Sequence, residues 1–121
     1  VFDRILIEHL LDLDVNYAVR SAPIINDATV EDAVMARLDE CARIITSGCD
    51  APGLILNQCN AEFMAAYQAA DLVLSKGQGN YETLSETAGR EIFFLLKAKC
   101  PVIAVDLGVD VGTYIFKAVG E

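Results

Sequence analysis

The sequence predicts an α/β fold, a mainly parallel sheet with helices on both sides. Three observations predict it. Strand-like runs alternate with segments whose apolar residues recur every three to four positions. Two of those runs, Leu72-Val73-Leu74 and Ile92-Phe93-Phe94-Leu95-Leu96, are apolar at successive positions, as strands buried on both faces are. Turn chemistry punctuates the elements, with no repeats, low-complexity runs or linkers between them. With 121 residues there is room for one domain and little more, so residues 1–121 are read as a single domain.

In chain order, Phe2, Ile5, Leu6, His9, Leu10 and Leu13 give a first helix an apolar face, on which His9 reads as a packing residue. A core helix starting at Val1 predicts an upstream part outside this sequence. Val15–Arg20 alternates as a strand, and Ser21–Thr29 is a loop carrying Pro23 and Asn26-Asp27. Thr29 is an N-cap with Asp32 in the capping-box position, opening a helix whose apolar side is Val30, Ala33, Val34, Arg37, Leu38 and Cys41. Arg43–Gly48 is a β-branched strand, and Asp50-Ala51-Pro52-Gly53 is a turn. A helix over 60–70 turns Phe63, Met64 and Tyr67 inward. A buried strand over 71–75, a helix over 80–88 and a strand over 92–96 follow. Residues 101–105 have strand propensity, but Pro101 suits a first helical turn and Gly108 a helix end. Val111–Phe116 would be a last short strand.

Composition narrows the function. Hydrophobic residues make up 54% and charged residues 22%, and no run approaches a membrane span. Nine basic residues against 18 acidic ones give a net charge of −9, which speaks against a nucleic-acid partner because no basic patch is visible. The four cysteines, at 41, 49, 59 and 100, have neither zinc-site nor Cys-x-x-Cys spacing. Cys41, Cys59 and Cys100 read as small core residues, and reduced thiols without a signal peptide predict a cytoplasmic protein.

The most telling stretch is Leu74-Ser75-Lys76-Gly77-Gln78-Gly79-Asn80-Tyr81-Glu82. A glycine-rich turn after a strand exposes backbone N–H groups, and Lys76 adds a cation, a combination suited to phosphate. By itself the pattern also fits an ordinary strand-to-helix turn. A second loop, Ile25-Asn26-Asp27-Ala28-Thr29, offers hard oxygen donors after another strand. Ligands of parallel sheets bind beyond the carboxyl ends of strands, so the two loops could hold a divalent metal on one side of a phosphate and a lysine on the other. Asn26-Asp27 before a helix is more often a turn or cap, Asn80 can bind substrate or cap a helix, and Glu82 can orient Lys76 or only favour a helix dipole.

These residues resemble the damage-control phosphatase family, domain of unknown function 89. The likeness rests on Phe2–Glu8, on Ile25–Thr29 with Glu31-Asp32-Ala33, on Ala70–Glu82, on Phe94–Pro101 and on Leu107-Gly108-Val109. It implies a three-layer α/β/α sandwich with a Rossmann-like sheet, a helix over 100–107, and metal-dependent phosphatase activity on small phosphorylated metabolites such as sugar phosphates or damaged cofactor intermediates. By the same resemblance Asp27 is a metal ligand with Asn26 beside it, Lys76 contacts phosphate, and Gly77, Gly79 and Asn80 form its loop with Glu82 following. Oxygen ligands favour magnesium or manganese, and the resemblance implies nickel or cobalt as substitutes.

The family's Asp-Asn metal pair falls before the position of Val1. The resemblance therefore implies the C-terminal part of a longer catalytic domain, without its upstream, central strand. An apolar groove would then lie open, to be completed by that upstream segment or by self-association. The alternatives are a non-catalytic phosphometabolite- or nucleotide-binding module, or an inactive fragment.

Overall fold

The computed structural model describes residues 1–25, 27–86 and 90–120. They form a mixed α/β chain in two compact units, one of Val1–Pro52 with Leu56–Ala69, the other of Gly53–Ile55 with Ala70–Glu121.

In the first unit α1 (Phe2–Glu8) leads to β1 (Asn16–Val19), α2 (Val30–Met35), β2 (Arg43–Thr46) and α3 (Ala61–Ala69). β1 and β2 pair in parallel, Asn16 opposite Arg43 through Val19 opposite Thr46. Their core is Ile7, Val19, Ala33 and Leu38. The Thr29 capping box forms as expected, with the Asp32 N–H donating to Thr29 Oγ1 and the Thr29 N–H to Asp32 Oδ2.

Other expectations for this unit change. α1 stops at Glu8, and it buries Ile7, whereas Phe2, Ile5 and Leu6 of the anticipated stripe are 85%, 50% and 38% exposed. His9 is exposed and not packed; its Nδ1 lies 2.7 Å from the Ile5 carbonyl. Helical periodicity marks a face, and nothing in the described residues covers this one. On α2, Val30 and Val34 are likewise exposed, and burial falls on Ala33 and, beyond the helix, Leu38. The core thiol is Cys49, 1% exposed in the turn after β2, while Cys41, Cys59 and Cys100 are half-buried. Burial pushes the Cys59 thiol up to about 11, helped by the neighbouring Cys49.

In the second unit β3 (Leu74–Lys76), α4 (Gln78–Leu84), β4 (Ile92–Lys97), α5 (Pro101–Leu107) and β5 (Tyr114–Val119) form a three-stranded sheet in the order β3-β4-β5. β3 is parallel to β4, and β5 returns antiparallel beside it. One face of β4, with Ile92, Phe94 and Leu96, is buried along with Tyr81, Leu84, Ile103 and Ala104. The strand–helix ambiguity over 101–105 resolves as a helix, begun at Pro101 and closed by Gly108. The last strand lies at 114–119, not 111–116, and it is antiparallel, running from Tyr114 opposite Lys97 to Val119 opposite Ile92.

The strand expected over 71–75 is only Leu74–Lys76 and is not buried on both faces: Ser75 is inside, Leu74 is 36% exposed and Leu72 62%. Among the described residues β3 pairs with β4 alone, so its other edge has no neighbour. α4 starts two residues early, at Gln78, because Gly77 turns the chain directly off the strand, and it ends at Leu84, short of the expected 88; positions 87–88 lie outside the described residues.

Candidate active site

Each anticipated loop follows the carboxyl end of a parallel strand. Lys76 is not in the loop; it is the last residue of β3, exposed and in register with Leu95. Gly77 then adopts φ +92°, and its N–H donates to the Leu95 carbonyl at 3.0 Å, so the turn begins on the final bond of the ladder. No heavy atom lies within 4 Å of where a Cβ would sit on Gly77, so the glycine answers to conformation and not to space.

Gly79 and Asn80 fall in the first turn of α4. The Asn80 carboxamide reaches in two directions: Oδ1 accepts the Leu54 N–H at 2.9 Å, and Nδ2 donates to the Lys76 carbonyl at 3.0 Å. Gln78 does the same on the other side, Oε1 accepting the Lys99 N–H at 2.8 Å while Nε2 approaches Cys100 Sγ at 3.5 Å. The segment Gly53–Ile55 is a strap against this turn. A Cβ on the buried Gly53 would collide with the Gly79 carbonyl and lie 2.6 Å from Thr83 Cγ2. Below it Tyr81 is buried, edge-on to Phe94 with centroids 5.2 Å apart, and its hydroxyl donates to Asp106 at 2.6 Å. Burial and then that carboxylate push the Tyr81 phenol up to about 12. Glu82 is exposed one residue further on.

The other loop belongs to the first unit. Asp27 is 43% exposed at its side chain, and Arg20 Nε donates to its Oδ2 at 3.0 Å. Arg20, 10% exposed, also donates to the Pro52 carbonyl at 2.8 Å, tying the loop to the turn after β2. Backbone bonds from Arg20 N–H to Ala28 O and from Asp27 N–H to Ile24 O close it. Ile25 lies at φ +52°, a left-handed conformation that a β-branched side chain adopts at a cost of about 1–3 kcal/mol. Asn26 lies outside the described residues.

Asp27 supplies a hard oxygen of the kind magnesium or manganese takes. One carboxylate does not make a centre, and among the described residues no group of three or more His, Cys, Asp or Glu is placed to hold a metal ion. The described residues alone therefore do not fit a complete metal site. Sequence reasoning passed over Gln78, Arg20 and Gly53. An amide between two glycines and a charge ending a strand were available signals for the first two; nothing local marks Gly53.

Comparison with known proteins defines the class. Residues 1–115 match the damage-control phosphatase ARMT1-like domain, and the chain belongs to that family. It is 46% identical over 117 residues to a damage-control phosphatase of Pyrococcus horikoshii, covering 94% of this chain and 41% of that protein. A damage-control phosphatase of Archaeoglobus fulgidus is 46% identical over 102 residues, 84% of this chain and 35% of its own length. The crystal structure of a DUF89 family protein from P. horikoshii superposes with a TM-score of 0.89 at 46% identity, over 95% of this chain and 41% of that one. The chain thus spans about two fifths of the length of the relatives it matches.

Proposed function

We propose that residues 1–121 are part of the catalytic domain of a metal-dependent phosphatase acting on small phosphorylated metabolites, such as sugar phosphates or damaged cofactor intermediates. Lys76 contacts the phosphate on the turn that Gly77 and Gly79 shape, with Glu82 on the substrate side. Asp27, with Asn26 beside it, contributes to a site for manganese or magnesium, which nickel or cobalt could replace. The remaining ligands come from outside the described residues, from an upstream segment or a second copy. The proposal places the protein in the cytoplasm, with neither nucleic acid nor membrane as a partner; among the described residues no helix is long and apolar enough to cross a membrane.

The observation that carries this reading is the Lys76 turn: a cation at the end of a parallel strand, in a chain 46% identical to a damage-control phosphatase. A fixed cation stabilises charge that develops on a transferring phosphoryl group. The test is phosphate release by the intact gene product from a panel of sugar and cofactor phosphates, after chelation and after adding back each metal. Hydrolysis should depend on the metal, and Lys76→Ala and Asp27→Ala should each lower kcat/KM by about 10²–10³-fold. Wild-type rates in both variants would refute the assignment. The incomplete ligand set favours one rival, a non-catalytic phosphometabolite-binding module. That rival predicts phosphate binding indifferent to metal and no turnover.

A further inference from the structure

We propose that Asn80 and Gln78 are positioning residues, two amide clasps that hold the Lys76 turn in its working geometry before any ligand arrives. The inference rests on the phosphatase reading above and adds roles for two side chains of the motif.

The bonds run in a consistent direction. Each carboxamide leaves the turn and reaches a different segment: Asn80 the strap at Leu54, Gln78 the corner between β4 and α5 at Lys99 and Cys100. Asn80 also returns to the Lys76 carbonyl. The peptide joining Lys76 to Gly77 is therefore gripped at both ends, its carbonyl by Asn80 and its N–H by Leu95. A peptide is a rigid plane, so fixing both ends fixes the direction in which Lys76 leaves the strand. The strap packs directly on this turn: Gly53 lies against the Gly79 carbonyl with no room even for a methyl group, and the Leu54 N–H bonds to Asn80. A lysine has four rotatable bonds beyond its Cα, and a fixed stem is what the protein can supply to limit their cost.

The experiment uses the intact gene product, with inorganic phosphate as the probe and a small aryl phosphomonoester as substrate. Asn80→Ala and Gln78→Ala should weaken inhibition by phosphate and lower kcat/KM by about 10- to 100-fold, the penalty of a displaced catalytic group. Amide exchange should speed up at Leu54 in the first variant and at Lys99 in the second. Gln78→Glu keeps the acceptor for the Lys99 N–H, so it should restore protection there and most of the activity. If Gln78 instead donated to the phosphate, the carboxylate of Gln78→Glu would rank below alanine, and that order would overturn the proposal. So would faster exchange with unchanged phosphate inhibition, which is the outcome of a purely structural amide. Should Asn80→Ala not fold, Asn80→Asp keeps the acceptor for the Leu54 N–H and loses the donor to the Lys76 carbonyl; wild-type phosphate inhibition in it would also count against the idea. A wild-type protein that neither binds phosphate nor hydrolyses the ester overturns the phosphatase reading itself, before any variant is compared.

Discussion

The turn after β3 and the loop after β1 follow the ends of parallel strands, and they are held in opposite ways. The β3–α4 turn is gripped by distant chain: Leu54, Leu95 and Lys99 all bond to it. Among the described residues the Ile24–Thr29 loop is closed by a capping box and short backbone bonds, and Arg20 links Asp27 to the Pro52 carbonyl. A partly exposed ion pair of that sort contributes about 1 kcal/mol or less. The difference is mechanical: the turn that carries Lys76 is tied to segments far away in the chain, whereas the loop that carries Asp27 is closed largely by bonds between residues near it in sequence.

The largest expected effect falls on the stiff turn. Gly53→Ala places a methyl group against the Gly79 carbonyl, and backbone cannot yield as a side-chain tip can. Overpacking of this kind costs about 1–3 kcal/mol. Urea unfolding should put this variant toward the upper end, with exchange at Leu54 faster than wild type. A neutral Gly53→Ala would mean that the strap is loose and the contrast between the two regions is false.

Tyr81 sharpens the contrast from beneath the turn. Tyr81→Phe removes the hydroxyl that donates to Asp106 while keeping the ring on Phe94, for a loss of about 1–1.5 kcal/mol near neutral pH. The folded phenol is pushed up to about 12 by burial and by Asp106. An unfolded tyrosine titrates near about 10. The raised folded value means that the neutral phenol is the favoured form, so its contribution is whole below about pH 10 and is lost as pH rises toward 12. The stability difference between wild type and Tyr81→Phe should therefore shrink across that window. A difference that held constant would show that the hydroxyl adds nothing through Asp106.

The same contrast explains how much of the molecule was legible in its sequence. The capping box at Thr29 and the helix opened by Pro101 and closed by Gly108 both rest on residues within a few positions of each other. What was not legible depends on distant partners. β3 begins only at Leu74 because its pairing with Phe93 begins there, and no pattern within 71–75 records that register. Gly53 reads as ordinary turn chemistry until Gly79, 26 positions on, is seen against it. The exposed stripe of Phe2, Ile5 and Leu6 shows the converse: periodicity announces a face without saying whether the described chain covers it.

The smallest effect belongs to the locally held loop. Thr29→Ala removes the hydroxyl that accepts the Asp32 N–H and donates to Asp32 Oδ2, a loss of about 1 kcal/mol for an N-cap. Hydrogen bonds from the Thr29 backbone and then from its hydroxyl hold the Asp32 carboxyl below the usual aspartate range. A depressed folded value means that the part contributed by the hydroxyl's bond to the carboxylate is present above the unfolded aspartate value, about 3.9, and is lost as pH falls through the lower folded one. Wild type and Thr29→Ala should thus differ at neutral pH, and the difference should narrow in acid without vanishing, because the bond from the Asp32 N–H to Thr29 Oγ1 does not titrate. Because the box is local, the variant should speed exchange at Asp32, within the first turn of α2, while Leu54 and Lys99 keep wild-type protection. Faster exchange at Leu54 or Lys99 would mean that the loop and the turn are one mechanical unit, and the difference in how they are held would carry no meaning for function.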